Sequence, residues 1–82
     1  MMKLFVKANC PWCVDATAYL RSQDIPFDEV DVHQDPVAFH EMETLSGQTK
    51  APTLVLKNGA VLPDFDVQEL KIFFRDQGIL IK

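Results

Sequence analysis

Lys3-Leu4-Phe5-Val6-Lys7-Ala8-Asn9-Cys10-Pro11-Trp12-Cys13 is the stretch on which the reading of this chain turns. Its front half is a short apolar run suited to a β-strand. Its back half holds both cysteines of the chain, three positions apart, with a proline directly after the first. Proline suits the first position of a helix, where its missing N–H is not needed. A dithiol at a strand-to-helix turn points to thiol–disulfide exchange. As a staple the pair would do little, because the loop it closes is tiny and removes little chain entropy. As a zinc site it is half a set: structural zinc takes about four ligands, no second cysteine pair exists, and His33 and His40 do not have zinc-finger spacing.

Outward from the motif, the first strand is expected at about Lys3 to Lys7 and the first helix from Pro11 to about Gln23. Within that helix Val14, Thr17, Ala18 and Arg21 share one face, and Cys13, Ala16, Thr17 and Leu20 a neighbouring one. Asp24-Ile25-Pro26 ends it. Phe27 to Val32 reads as a second strand, although its alternation slips between Phe27 and Val30. Asp35-Pro36 is an N-cap followed by a first-turn proline. A second helix follows to about Leu45, with Ala38, Phe39, Met42 and Leu45 on its inner side, and Ser46-Gly47 stops it. Thr53-Leu54-Val55-Leu56 is a third strand. Asn58-Gly59 is a two-residue hairpin signal, and Ala60-Val61-Leu62 is the return strand. Asp66-Val67-Gln68-Glu69 is a capping-box pattern. It opens a third helix that carries Val67, Leu70, Phe73 and Phe74 and ends at Gly78. The order β-α-β-α-β-β-α predicts an α/β fold: one four-stranded mixed sheet with its three helices on both faces.

The chain is 82 residues long and 48% hydrophobic, enough for one domain with a modest core and near the lower size limit for unaided folding. The net charge of −4 and sequence pI of about 4.9 argue against nucleic acid as a partner, because phosphate binding needs clustered Lys and Arg. The opening residues Met1 to Val6 hold too few apolar positions for a signal peptide. No run approaches the ~18 apolar residues of a membrane span. The expectation is a cytoplasmic monomer without a membrane partner. Asp24, Asp28, Glu29, Asp31 and Asp35 form a solvated acidic edge. The apolar Ile79-Leu80-Ile81 either closes the core or makes a contact between copies.

The element order, with Cys-x-x-Cys after the first strand, resembles the thioredoxin superfamily. Within it the chain is similar to the short glutaredoxins and related small redoxins over residues 3 to 77. Cys10-Pro11-Trp12-Cys13 resembles the Cys-Pro-Tyr-Cys of dithiol glutaredoxins. Lys7 lies three residues before Cys10, as the family's active-site lysine does. Lys50-Ala51-Pro52 falls where the family has Thr-Val-Pro, which implies a cis peptide bond before Pro52 and a Pro52 that faces the dithiol. Two departures stand out. The family's Gly-Gly before the last helix is replaced by Leu62-Pro63-Asp64-Phe65-Asp66, and its Thr by Lys50. Asp66 still fits the family's acidic position, and Asp64 reads as an ordinary loop acid.

The motif also assigns roles. Cys10 sits just before the helix, whose exposed N–H groups and dipole favour an anion there, with Lys7 adding positive charge. Cys10 is therefore the expected nucleophile. Cys13, one turn on, is the resolving thiol that attacks the mixed disulfide on Cys10. The resemblance implies that the Ala51 backbone, exposed by Pro52, pairs with an extended substrate. It also implies that Trp12 offers an aromatic face, that Lys7 and Lys50 attract a carboxylate, and that Asp66 holds an ammonium. Together these describe a cradle for glutathione as co-substrate, with no tightly bound cofactor and no metal.

Three functions follow as expectations. The leading one is a dithiol oxidoreductase acting on protein disulfides or glutathionylated proteins and recycled by glutathione. A variant is recycled by thioredoxin reductase and donates electrons to ribonucleotide reductase. The alternative from another class is a dimer that binds a [2Fe–2S] cluster, against which Pro11 argues within the family.

Overall fold

The computed structural model describes residues 1–81. Strand β1 (Met2–Val6) leads into helix α1 (Pro11–Ser22). It is followed by β2 (Phe27–Asp31), α2 (Pro36–Ser46), β3 (Thr53–Val55), β4 (Val61–Pro63) and α3 (Val67–Asp76). The four strands form one sheet in the order β2-β1-β3-β4. β1 runs parallel to β2, with Met2 opposite Phe27 and Val6 opposite Asp31. β3 is antiparallel to both β1 and β4. The predicted four-stranded mixed sheet and three helices are therefore present in the predicted order.

Alternation along β1 divides the core. Leu4 and Val6 face one side, where α1 and α3 cover them with Ala16, Leu20, Leu70 and Phe74. Phe5 faces the other side, against Val32, Ala38 and Met42. Successive strand side chains point to opposite faces, so the short central strand anchors both layers. The buried stripe of α1 is Cys13, Ala16, Thr17 and Leu20, the second of the two faces read from spacing. Cys13 thus belongs to the helix face that packs on the sheet. The Lys3 ammonium reaches the Glu41 carboxylate at 2.9 Å and ties β1 to α2.

Each helix begins as its sequence indicates. Asp35 accepts hydrogen bonds from the Val37 and Ala38 N–H groups, with Pro36 following in the first turn. Asp66 and Glu69 form a reciprocal capping box. Gly47 ends α2 in the left-handed conformation at φ 71°, a region that glycine enters without the Cβ penalty.

Three expectations need correction, and one reading that the sequence left open divides. Leu45 does not join the inner side of α2 but is 47% exposed. Strand β1 begins and ends one residue earlier than its apolar run suggests, and β4 is Val61–Pro63 rather than Ala60–Leu62. The Asn58-Gly59 hairpin is not a two-residue turn. Asn58 lacks the positive φ that a type I′ turn requires. Instead the Gly59 N–H donates to the Leu56 carbonyl, the Leu56 N–H donates to the Ala60 carbonyl, and Gly59 alone takes φ 92°. That is a three-residue loop with a glycine bulge. Finally, the apolar tail divides: Ile79 packs on the larger core cluster, while Leu80 is 95% exposed.

Candidate functional site

The two cysteines lie where β1 hands over to α1. Asn9 takes φ 58°, a left-handed conformation in which asparagine is enriched, and turns the chain out of the strand. Cys10 is the N-cap residue of α1, with extended backbone and Pro11 in the first turn. An N-cap side chain satisfies one of the four orphan N–H groups of a helix start, ordinarily through oxygen. Here sulfur does so: Cys10 Sγ accepts the Cys13 N–H at 3.2 Å. Cys10 is partly exposed and Cys13 buried, and both are free thiols.

The burial difference separates their chemistry. Burial pushes the Cys13 thiol up to about 12, helped by its hydrogen bond to Cys10 and by the charge of Cys10. A backbone hydrogen bond from Lys7 and the Lys7 charge oppose the rise. Desolvation penalises the thiolate, so near neutral pH Cys13 holds its proton beside the more accessible sulfur of Cys10. The Thr17 hydroxyl donates to the Cys13 carbonyl at 2.9 Å and braces that turn of the helix.

The segment before β3 comes up against the dithiol. The Ala51–Pro52 peptide bond is cis, Pro52 is buried, and the Ala51 carbonyl lies 3.9 Å from Cys10 Sγ. Two polar residues that the sequence reading passed over hold this segment. The Gln48 side chain accepts from the Lys50 N–H at 2.6 Å. It donates to the Ser46 hydroxyl at 2.8 Å and to the Thr53 hydroxyl at 3.0 Å. Thr53, fully buried, donates in turn to the Lys50 carbonyl at 2.8 Å. A Gln-x-x-x-x-Thr spacing around Lys50-Ala51-Pro52 is visible in the sequence, but nothing in the spacing alone says that the two side chains meet.

The other sequence-derived positions surround the pair. The Lys7 ammonium donates to the Thr49 carbonyl at 2.7 Å and sits 5.9 Å from the centre of the Phe39 ring. It thus secures the same segment as Gln48. Trp12 is 59% exposed and lines a shallow pocket of about 310 Å³ with Asp64, Phe65, Asp66 and Glu69. The Asp66 carboxylate accepts the Glu69 N–H at 2.8 Å as the cap of α3. Lys50 does not stand alone as a cation. Its ammonium lies 3.9 Å from the Asp64 carboxylate, with both side chains well exposed. Asp64 takes φ 47°, so it turns the chain in a left-handed conformation between β4 and α3. This is the segment in which the glutaredoxin pattern has glycine. Asp64 therefore sets an anion against Lys50, one of the two expected cations, and lines the same pocket as Asp66.

No group of three or more His, Cys, Asp or Glu side chains among the described residues is arranged to hold a metal ion. No helix among the described residues is long and apolar enough to cross a membrane.

Comparison with known proteins accords with this geometry. The thioredoxin-like protein BC3987 superposes with a TM-score of 0.80 at 24% identity, covering 88% of this chain and 97% of that one. A glutaredoxin from Archaeoglobus fulgidus superposes with a TM-score of 0.76 at 15% identity, covering 90% and 85%. At these identities the likeness speaks for the fold. In sequence, the chain is 33% identical over 70 residues to an uncharacterised glutaredoxin-like 8.6 kDa protein in the rubredoxin operon of Clostridium pasteurianum, across 85% of this chain and 92% of that protein. The family model for glutaredoxin matches residues 2–61, so this chain, with its dithiol at the start of the first helix, belongs to the glutaredoxin family, a membership that supports a thiol redox function.

Proposed function

We propose that the chain is a dithiol oxidoreductase that reduces disulfides through a Cys10–Cys13 couple. One observation carries the reading: the accessible sulfur of Cys10 accepts the Cys13 N–H at a helix start, while the neighbouring thiol is buried, which pushes it up. The Cys10 thiolate attacks one sulfur of a substrate disulfide, forms a mixed disulfide and releases the first substrate thiolate. Cys13 then attacks Cys10 Sγ. Its proton passes to the second substrate thiolate as that leaves, and the Cys10–Cys13 disulfide forms. Two electrons move from the dithiol to the substrate, and an external thiol or reductase must return them.

Pro52 and the Ala51 backbone form the wall against which an extended substrate pairs. Trp12, Lys7, Lys50 and Asp66 complete the binding surface, and glutathione is the co-substrate under this reading. A second reading is recycling by thioredoxin reductase, with protein disulfides as the main substrates. It is favoured by the pairing of Lys50 with Asp64, which offsets a cation that glutathione would use. The deciding experiment follows NADPH consumption as the oxidised protein is recycled. One assay contains glutathione and glutathione reductase, the other thioredoxin reductase. Turnover with glutathione supports the first reading, and turnover only with thioredoxin reductase the second. Failure of any Cys10–Cys13 disulfide to form overturns both.

A further inference from the structure

We infer that Asp64 is a specificity-determining residue that biases the dithiol towards disulfides with neutral or cationic flanks and against those with carboxylates. The inference rests on the exchange reading above. The β3–β4 register places Pro63 opposite Thr53, so Asp64 emerges beside the Ala51-Pro52 segment that abuts Cys10. There its carboxylate meets the Lys50 ammonium at 3.9 Å. A substrate lying along Ala51 brings its flanking groups to this pair. A carboxylate in that position competes with Asp64 for Lys50 and is repelled by Asp64 itself, while an ammonium is attracted by Asp64.

A second observation points the same way. The pocket beside Trp12 is lined by Asp64, Phe65, Asp66 and Glu69, so among these described lining residues every charge is negative. Asp64 both meets Lys50 and lines this pocket, from a left-handed backbone at φ 47°. In this segment the glutaredoxin pattern has glycine. This chain places a charged residue, Asp64, in a left-handed turn there.

The test compares Asp64→Asn with the parent protein. Asparagine is nearly isosteric and tolerates a positive φ. The pre-reduced proteins react with three small disulfides: oxidised glutathione, which is net anionic; cystamine, which is cationic; and bis(2-hydroxyethyl) disulfide, which is neutral. Exchange consumes one substrate disulfide and yields two thiols and the Cys10–Cys13 disulfide. Taking each rate as a variant-to-parent ratio cancels the intrinsic reactivity of the three disulfides. An exposed charge of this kind is expected to raise the glutathione ratio about two- to five-fold and lower the cystamine ratio by a similar factor. The neutral disulfide should stay unchanged. The effects should fade at about 0.5 M salt, where screening acts within about 4 Å. Asp64→Gly, which also accepts the left-handed turn, repeats the measurement if the first variant folds poorly. Equal ratios for all three disulfides overturn the inference and leave the exchange reading standing. A parent protein that reacts with none of the three overturns both.

Discussion

Cys10 Sγ and the Cys13 backbone nitrogen lie 3.2 Å apart, and the sulfur caps the helix that carries its own redox partner. The two thiols are therefore unequal before any substrate arrives. One is partly exposed at the start of the helix; the other is buried, and burial pushes its thiol up. Cys10→Ser should abolish exchange with every disulfide. Cys13→Ser should keep the single-cysteine reaction with glutathione mixed disulfides and lose reduction of protein disulfides. Trapping of a mixed disulfide on Cys13→Ser, read by intact mass, checks the assignment. A trapped adduct on Cys10→Ser instead would reverse it.

The raised Cys13 thiol has a consequence for stability. A group that binds its proton more tightly when folded stabilises the fold below its ordinary value, and that contribution is lost as pH climbs to the folded one. The reduced protein should therefore lose stability between about pH 9 and about pH 12. The loss cannot exceed about 1.4 kcal/mol per pH unit for one proton. Urea unfolding of the reduced protein at a series of pH values measures the slope. Cys13→Ala should flatten it across that interval, and an unchanged slope in the variant would assign the loss to other groups.

Trp12 stands between the cysteines and is the single tryptophan of the chain. Its exposed ring should report the redox state, with fluorescence rising as the disulfide is reduced. Titration with dithiothreitol followed near the tryptophan emission maximum tests this. Trp12→Phe should remove the signal and keep the exchange rate within a few-fold. A signal independent of Cys10 and Cys13 would break the link.

Gln48 and Thr53 hold the Lys50-Ala51-Pro52 segment through three hydrogen bonds. Thr53→Val keeps the volume but removes a buried hydroxyl that both gives and receives a bond, leaving polar partners unsatisfied. The expected loss is about 1–3 kcal/mol, measured by denaturant unfolding. Gln48→Ala should cost less stability, because Gln48 lies nearer the surface. It should nevertheless slow exchange with protein disulfides more than with small ones, since an extended substrate depends on the segment's placement. Equal slowing for both classes would remove the segment from substrate selection.

The Asp35 cap offers a control remote from the chemistry. Its side chain satisfies two N–H groups at the start of α2. Asp35→Ala should lower stability by about 1 kcal/mol, with unchanged exchange rates at temperatures well below unfolding. A change in exchange chemistry would mean that α2 communicates with the dithiol.

Much of this architecture was legible because local signals agreed with one another. Asp35-Pro36, Asp66 with Glu69, and Pro11 after Cys10 each mark a helix start by mechanisms confined to a few residues. The short apolar run around Leu4, Phe5 and Val6 marked the central strand. What was illegible depended on distant partners. Leu45 lies on the apolar stripe of α2, but no element reaches over it, so it remains exposed. The form of the hairpin depended on Asn58 keeping a negative φ, which the Asn-Gly pair does not dictate. The cis bond before Pro52 came from resemblance alone. The pairing of Lys50 with Asp64 needed the β3–β4 register, which brings together residues that look unrelated along the chain. The same holds for Gln48 and Thr53, whose contact depends on the fold of the segment between them.

The strand order β2-β1-β3-β4 leaves two outer strands with unpaired backbone groups. Such rims invite another chain to add itself and seed polymerisation. Each carries its own deterrent. β2 reads Phe-Asp-Glu-Val-Asp, so a second strand docking there would meet three carboxylates. β4 is three residues long and ends in Pro63, which has no N–H to offer. Both rims are thus poor docking sites for another strand, and under the proposed exchange reading extended substrates are received instead at the backbone stretch beside Cys10.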